Sequence, residues 1–149
     1  MKIKKGILKK IIGRKDKGCF PELSLENIEL KVDTGAYTST IHCTLLETFS
    51  KNAEEYVNFI PLDQHHPGYK GKEITLKKHK EKSVKSSNGE SQSRFVVETT
   101  IELFGTVYPI QLTLSNRSDM RFPVLLGRRF LTDKFIVDTS EKNLSFKHK

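Results

Sequence analysis

The run Ile28-Glu29-Leu30-Lys31-Val32 alternates apolar and polar residues and stops at Asp33-Thr34-Gly35-Ala36. Beyond that box, Tyr37 to Ile41 reads as strand again. Strict alternation marks a strand with one buried face. A chain that passes from one such strand to the next through four small residues has to turn tightly, and this turn carries a carboxylate. Gly35 permits close backbone approach, while backbone N–H groups and the Thr34 hydroxyl can hold the Asp33 carboxylate in place. Asp-Thr-Gly also occurs in plain solvent turns, so the box acquires meaning from the rest of the chain. A second short apolar run closed by glycine, Phe122-Pro123-Val124-Leu125-Leu126-Gly127-Arg128, lies near the C-terminus.

Strand signals dominate between and around these two segments. Residues 24–45 read as a strand pair about the turn, and Asp63 to Gly71, with Pro67 and Gly68, as a loop. Ser86-Ser87-Asn88-Gly89-Glu90 contains an Asn-Gly hairpin signal. Phe95 to Leu103 follows as a strand, Phe104-Gly105-Thr106 turns the chain, and Val107 to Leu114 returns. Arg128 to Thr132 is the one short helix expected, Phe135 to Val137 a core strand, and Leu144 to Phe146 a terminal edge strand. No βαβ rhythm appears, so the class is all-β, a small barrel of antiparallel character.

A chain of 149 residues suits a single domain, 1–149, with a modest core. Residues 1–17 carry eight basic residues, and Ile7, Leu8, Ile11 and Ile12 recur at helical spacing. That segment reads either as a basic amphipathic helix or as an arm or edge strand. Lys77 to Lys85 is polar and positive, and is expected to be mobile. No apolar run is long enough to span a bilayer, and Lys9 and Lys10 interrupt what would be the apolar part of a signal peptide. The expectation is a cytoplasmic protein, with Cys19 and Cys43 as reduced thiols rather than a disulfide framework. A net charge of +8 permits acidic or nucleic-acid partners and is equally met by a solvated lysine-rich surface.

Several segments together resemble the bacterial retropepsin-like aspartic proteases often filed as ATP-dependent zinc proteases and associated with RimK-type ATP-grasp glutamate ligases. They are Ile12-Gly13-Arg14, Phe20 to Leu23, Lys31 to Ser39, Ser86 to Gly89, Leu112 to Met120 and Val124 to Leu131, in the family's order over nearly the whole chain. The resemblance implies a small closed acid-protease β-barrel with one short C-terminal helix, with Ile12-Gly13-Arg14 opening its first strand. It implies that Leu126-Gly127 passes beneath the Asp33 turn. It also implies a flap tip at Ser87, Asn88 and Gly89. The sequence departs from the family at Tyr37, where many relatives carry a basic residue, and at Lys70 to Lys85, which matches nothing in the pattern.

Hydrolysis of a peptide bond by carboxylates takes two aspartates, one acting as base on water and the other, protonated, supporting the carbonyl oxygen. Phe135-Ile136-Val137-Asp138-Thr139-Ser140 mimics a second Asp-Thr-Ser entry, but only nine residues follow it, too few for another lobe. The expected solution is a homodimer in which each chain contributes Asp33. Asp33, Thr34 and Gly35 are then the catalytic residues. Ala36, Leu126, Gly127 and Arg128 are structural neighbours, with Arg128 expected in a buried or interface ion pair. The substrate is a peptide or isopeptide-like bond, in a protein that is acidic, glutamylated or otherwise linked to the ligase system. The rival reading is a non-catalytic basic β-barrel that binds RNA, a ribosome or acidic peptides. The basic stretches 1–17 and 77–85 lack the interleaved aromatic residues that base stacking calls for, which disfavours nucleic acid.

No cofactor is expected. There is no Gly-rich phosphate cradle for ATP. Zinc needs three or four converging ligands, whereas His42 and Cys43 are adjacent and so face opposite sides of a strand, as do His65 and His66. Metal-free surface histidines are the expectation for His65, His66, His79 and His148, and convergence of distant ligands is the remaining route to a metal site.

Overall fold

The computed structural model describes residues 8–85, 89, 91–116 and 121–148. The strands are β1 (Lys10–Ile12), β2 (Lys15–Phe20), β3 (Leu25–Val32), β4 (Ser39–Lys51), β5 (Glu54–Pro61), β6 (Ile74–Lys77), β7 (Lys80–Lys85), β8 (Ser91–Leu103), β9 (Thr106–Ser115), β10 (Val124–Leu126) and β11 (Phe135–Val137). Two single-turn helices, α1 (Arg128–Leu131) and α2 (Leu144–Lys147), and a 3-10 turn at Pro21–Leu23 complete the fold.

Six strands close into a barrel in the order β10-β3-β2-β8-β9-β4, and β4 pairs back to β10. Closure removes the open edges that would otherwise invite aggregation. β5 and β6 extend the sheet outward from β4, and β7 pairs with β8. The alternation read from the sequence is what fills the barrel: Leu25, Ile28, Leu30 and Val32 of β3 point inward. The step of three between Leu25 and Ile28 is a bulge, where Asn27 takes a left-handed φ of 51° and the register to β2 shifts. The inward residues join one hydrophobic cluster with Phe20, Ile41, Phe59, Ile101, Leu112 and Leu126.

The β8–β9 hairpin turns at Phe104-Gly105, both at positive φ (54° and 71°), the geometry that matches strand twist. A phenylalanine is costly there, and its surroundings hold it. Its ring lies 6.0 Å from that of Phe135, and its N–H donates to Ser145 Oγ at 2.8 Å. The N-terminal segment is a strand from Lys10 onward. β1 pairs in parallel with β11 as a separate two-stranded sheet, and residues 1–7 lie outside the described residues.

Three expectations need correcting. Most of the Lys77–Lys85 stretch is strand: Lys77 ends β6, and Lys80–Lys85 is β7, antiparallel to β8 over its whole length. Local charge hides this, because Lys78 sits between Glu55 and Glu81, and His79 against Glu98. Leu144 to Phe146 is helix α2, not an edge strand, so there are two short helices rather than one. The cause is Asp16, 129 residues away on β2. Its buried carboxylate accepts hydrogen bonds from the N–H of Ser145 (2.9 Å) and of Phe146 (3.1 Å), capping the helix start. Phe135 to Val137 is only partly a core strand, since Phe135 is buried but Ile136 is exposed.

Asp16 also accepts from the N–H of Lys17 at 2.8 Å, so its loss strands several donors at once. Asp16→Ala is expected to lower unfolding free energy by about 2–4 kcal/mol, the sum of a lost cap and unsatisfied buried N–H groups. Denaturant titration of the variant against the parent chain checks this.

Candidate active site

Asp33 stands where β3 runs out on the barrel rim. β10 lies parallel to β3, with Val124 opposite Leu30 and Leu126 opposite Val32, and antiparallel to β4, with Val124 opposite Ile41. The next ladder bond past β3 runs from Asp33 N–H to Leu126 O at 2.9 Å. Ala36 N–H donates to Asp33 O at 3.2 Å and closes the turn. Gly35 N–H donates to Asp33 Oδ1 at 3.1 Å, so the carboxylate is held by its own loop and stays half-buried.

The segment after β10 binds the turn from its other side. Arg128 N–H donates to Ala36 O (2.8 Å), Arg129 N–H to Tyr37 O (2.9 Å) and Gly127 N–H to Ser39 Oγ (3.0 Å). Gly127 is required by space: a Cβ there would stand 2.6 Å from the carbonyl oxygens of Tyr37 and Thr38. Ser39 is fully buried and supplies an acceptor that nothing in the sequence marks out. The Arg128 side chain is exposed, and its Nη1 donates to Thr34 O at 2.9 Å. Within the chain the contact it makes is with a backbone carbonyl. The Thr34 carbonyl, turned outward by the tight box, offers a guanidinium a nearby acceptor without burying its charge.

Asp33 opens onto a groove of ≈ 510 Å³ that also takes in Tyr37, Lys82, Ser83 and Lys85. Lys82 Nζ lies 4.7 Å from the Tyr37 ring centroid and the Arg128 guanidinium 5.8 Å from it, so Tyr37 is flanked by cations. Asp33 is the one carboxylate among the described lining residues. The lysines come from β7, so the hairpin that carries the expected flap tip is rooted beside Asp33. Of that tip, Ser87 and Asn88 lie outside the described residues, while Gly89 has φ +88° and open space about its Cα.

Asp138, the rejected second aspartate, forms a turn of its own, accepting from Ser140 N–H at 3.0 Å and Ser140 Oγ–H at 2.6 Å. The Ser140 hydroxyl is the main influence holding its carboxyl below the usual range. Cys19 and Cys43 are both free thiols, and burial pushes the Cys43 thiol up to about 12. Of the histidines, His65, His79 and His148 are exposed as expected. His66 is not a surface residue: the turn after Leu62 folds it inward, half-buried, against His42 and Asp63.

Gly127→Ala is expected to destabilise the chain by about 3 kcal/mol, the upper part of the range for overpacking, because the clash is with backbone on both sides. Ser39→Ala leaves Gly127 N–H buried without an acceptor and should cost about 1–3 kcal/mol. Thermal unfolding of both variants reads these losses.

A model of the family described as "Retropepsin-like aspartic endopeptidase RimB" matches residues 11–148. Among curated proteins, the chain is 39% identical over 136 residues to the "Probable alpha-L-glutamate ligase" of Desulfotalea psychrophila, covering 89% of this chain and 28% of that protein. It is 37% identical over 135 residues to the protein of the same name from Shewanella pealeana, covering 88% and 29%. The chain thus spans less than a third of the length of these relatives. Among solved structures, Lpg0085 of Legionella pneumophila, a protein of unknown function, superposes with a TM-score of 0.72 at 22% identity, over 93% of this chain and 99% of that one, and so shares its fold. Among the described residues, no helix is long and apolar enough to cross a membrane. With the Asp33 turn clasped by β10 and the family match running over nearly its whole length, this chain belongs to the RimB-like family of retropepsin-like aspartic endopeptidases.

Proposed function

We propose that the chain is an aspartic peptidase that works as a homodimer, with one Asp33 from each copy. The observation that carries this reading is a carboxylate fixed by Gly35 N–H at the mouth of a groove with no second carboxylate among its described lining residues. A dyad then has to draw its other half from a second copy. Two carboxylates about 3 Å apart repel by roughly 5 kcal/mol at an effective dielectric near 20, so the pair shares one proton. The ionised Asp33 takes a proton from water, and its protonated counterpart donates to the carbonyl oxygen as charge builds there.

In this reading the Thr34 hydroxyl braces the two turns against each other, and Gly35 leaves room for their close approach. Ser87, Asn88 and Gly89 form the flap tip that closes over substrate and excludes water. The substrate class is acidic. Lys82 and Lys85 face the groove, and Arg128 borders it through Tyr37, so the surroundings of Asp33 attract an anionic chain. The relatives are named for glutamate ligation, which points to a glutamate-bearing protein or peptide, cut at a peptide or isopeptide-like bond. Use of ATP would belong to a ligase of the RimK type acting alongside this domain.

Asp33→Asn should lower kcat/KM on a glutamate-tailed peptide by at least about 10²–10⁴-fold, the usual worth of positioned acid–base catalysis, with the melting temperature little changed. Undiminished cleavage by this variant would contradict the reading. Reversing charge with Lys82→Glu and Lys85→Glu together should weaken the same substrate about tenfold, near 1.4 kcal/mol, and leave a neutral peptide unaffected. Steady-state kinetics on the two peptides at low and high salt separates those outcomes.

A further inference from the structure

A second polar cluster stands apart from Asp33. His42 lies on β4 with a side chain only 1% exposed, and its N–H donates to Pro123 O at 2.8 Å. β5 ends at Pro61, and Leu62 takes a left-handed φ of 68° while its N–H donates to His42 O at 2.8 Å. That bend turns Asp63 back toward β4. Asp63 Oδ1 then accepts from His65 N–H at 2.8 Å, and His66 N–H donates to Asp63 O at 3.0 Å. These turns bring His66 over Asp63. Asp63 Oδ2 lies 2.9 Å from His42 Nε2, Asp63 Oδ1 lies 3.2 Å from His66 Nδ1, and the imidazole centroids are 5.5 Å apart.

Three donor atoms, one from each residue, lie within 4.8 Å of one another. A tetrahedral zinc with ligand distances near 2.0–2.2 Å holds neighbouring ligand atoms about 3.4 Å apart, so the two Asp63 contacts already stand near that spacing. The hydrogen-bond accounting points the same way. Among the described residues, the buried side-chain polar atoms without a partner are His42 Nδ1, His66 Nδ1 and Ser115 Oγ, and Ser115 is the register partner of His42 on β9. His66 Nδ1 approaches Asp63 at 3.2 Å without forming a hydrogen bond. A buried nitrogen left unpaired costs about 1–3 kcal/mol, and His66 Nδ1 is the one that an ion beside Asp63 would satisfy, since His42 meets Asp63 through Nε2 rather than Nδ1.

We infer that His42, Asp63 and His66 form a binding site for a zinc-class divalent transition metal. The donor set selects the ion: two imidazole nitrogens with one carboxylate suit zinc, whereas calcium and magnesium call for shells built from oxygen. Cys43 is not a further ligand. It joins the hydrophobic cluster on the other side of β4. Three protein ligands leave a fourth position for water. The site is distinct from the Asp33 turn: β10 touches Asp33 through Leu126 at one end, and Pro123, just before its other end, touches His42. The metal's part is to hold. It pins the 62–71 loop to the strand that flanks β10, without entering the chemistry at Asp33.

The test is metal binding by the full chain after chelation and dialysis, using Zn²⁺ for affinity and stoichiometry and Co²⁺ for its visible absorption. The expected result is stoichiometric Zn²⁺ retained through gel filtration, and an intense low-symmetry Co²⁺ band displaced by Zn²⁺. His66→Gln should weaken Zn²⁺ by more than about 100-fold, since loss of even an outer partner costs about 10–100-fold. His65→Gln and Asp33→Asn should bind as the parent does. Failure of the parent chain to retain Zn²⁺ overturns the proposal and leaves a water-filled polar cluster. So does equal affinity in His66→Gln, or loss of binding in His65→Gln or Asp33→Asn.

Discussion

Everything at the Asp33 end of the molecule depends on one short strand inserted between two others. β10 is three residues long, yet it is bonded to β3 on one side and β4 on the other. It thereby closes the barrel and continues the ladder into the Asp33 turn, through Asp33 N–H to Leu126 O. The step from Leu126 to Gly127 then lets the backbone press against Tyr37 and Thr38, where no side chain fits. Arg128 and Arg129 complete the clasp through their N–H groups before the chain coils into α1. A carboxylate held this way is positioned by backbone at both ends of its turn, so its placement survives most changes in the surrounding side chains.

The same insertion explains why one chain looks incomplete as a catalyst. The clasp exposes Thr34 and Gly35 and leaves Asp33 at a rim rather than in a pocket of its own. Among the described lining residues of its groove, β7 contributes Lys82, Ser83 and Lys85 and no carboxylate. Among the described residues, this rim holds a single acid with flanking cations, a setting that attracts anions and leaves Asp33 without a second carboxylate to share a proton. In the proposed dimer a second Asp33 turn supplies the other acid, and two sets of cations line one cleft. On the proposed reading, the acidic substrate and the homodimer are two consequences of one geometry.

Much of this was legible from local pattern. The alternation of residues 28–32, the Asp-Thr-Gly-Ala box and the Leu-Leu-Gly-Arg segment each carry their geometry in adjacent residues, and β3, β10 and α1 follow from them. The β8–β9 hairpin about Phe104-Gly105 was equally visible. What escaped depends on contacts between distant residues. α2 exists because Asp16 caps it across the barrel, and no local signal marks a strand residue as a helix cap. β7 reads as a solvated lysine run because its pairing partner, β8, neutralises nothing in sequence space. Ser39 earns its role only once Gly127 is beside it. His42 and His66 look like isolated histidines next to ill-suited neighbours until Leu62 adopts a left-handed bend and Asp63 gathers both.

The central claim, that activity requires two Asp33 turns to meet, is tested most directly by the dependence of peptide cleavage on chain concentration, followed alongside sedimentation. The account predicts that activity per chain falls toward zero as dilution converts dimers to monomers, in step with the measured dimer fraction. Constant activity per chain in samples that sediment as monomers would contradict it.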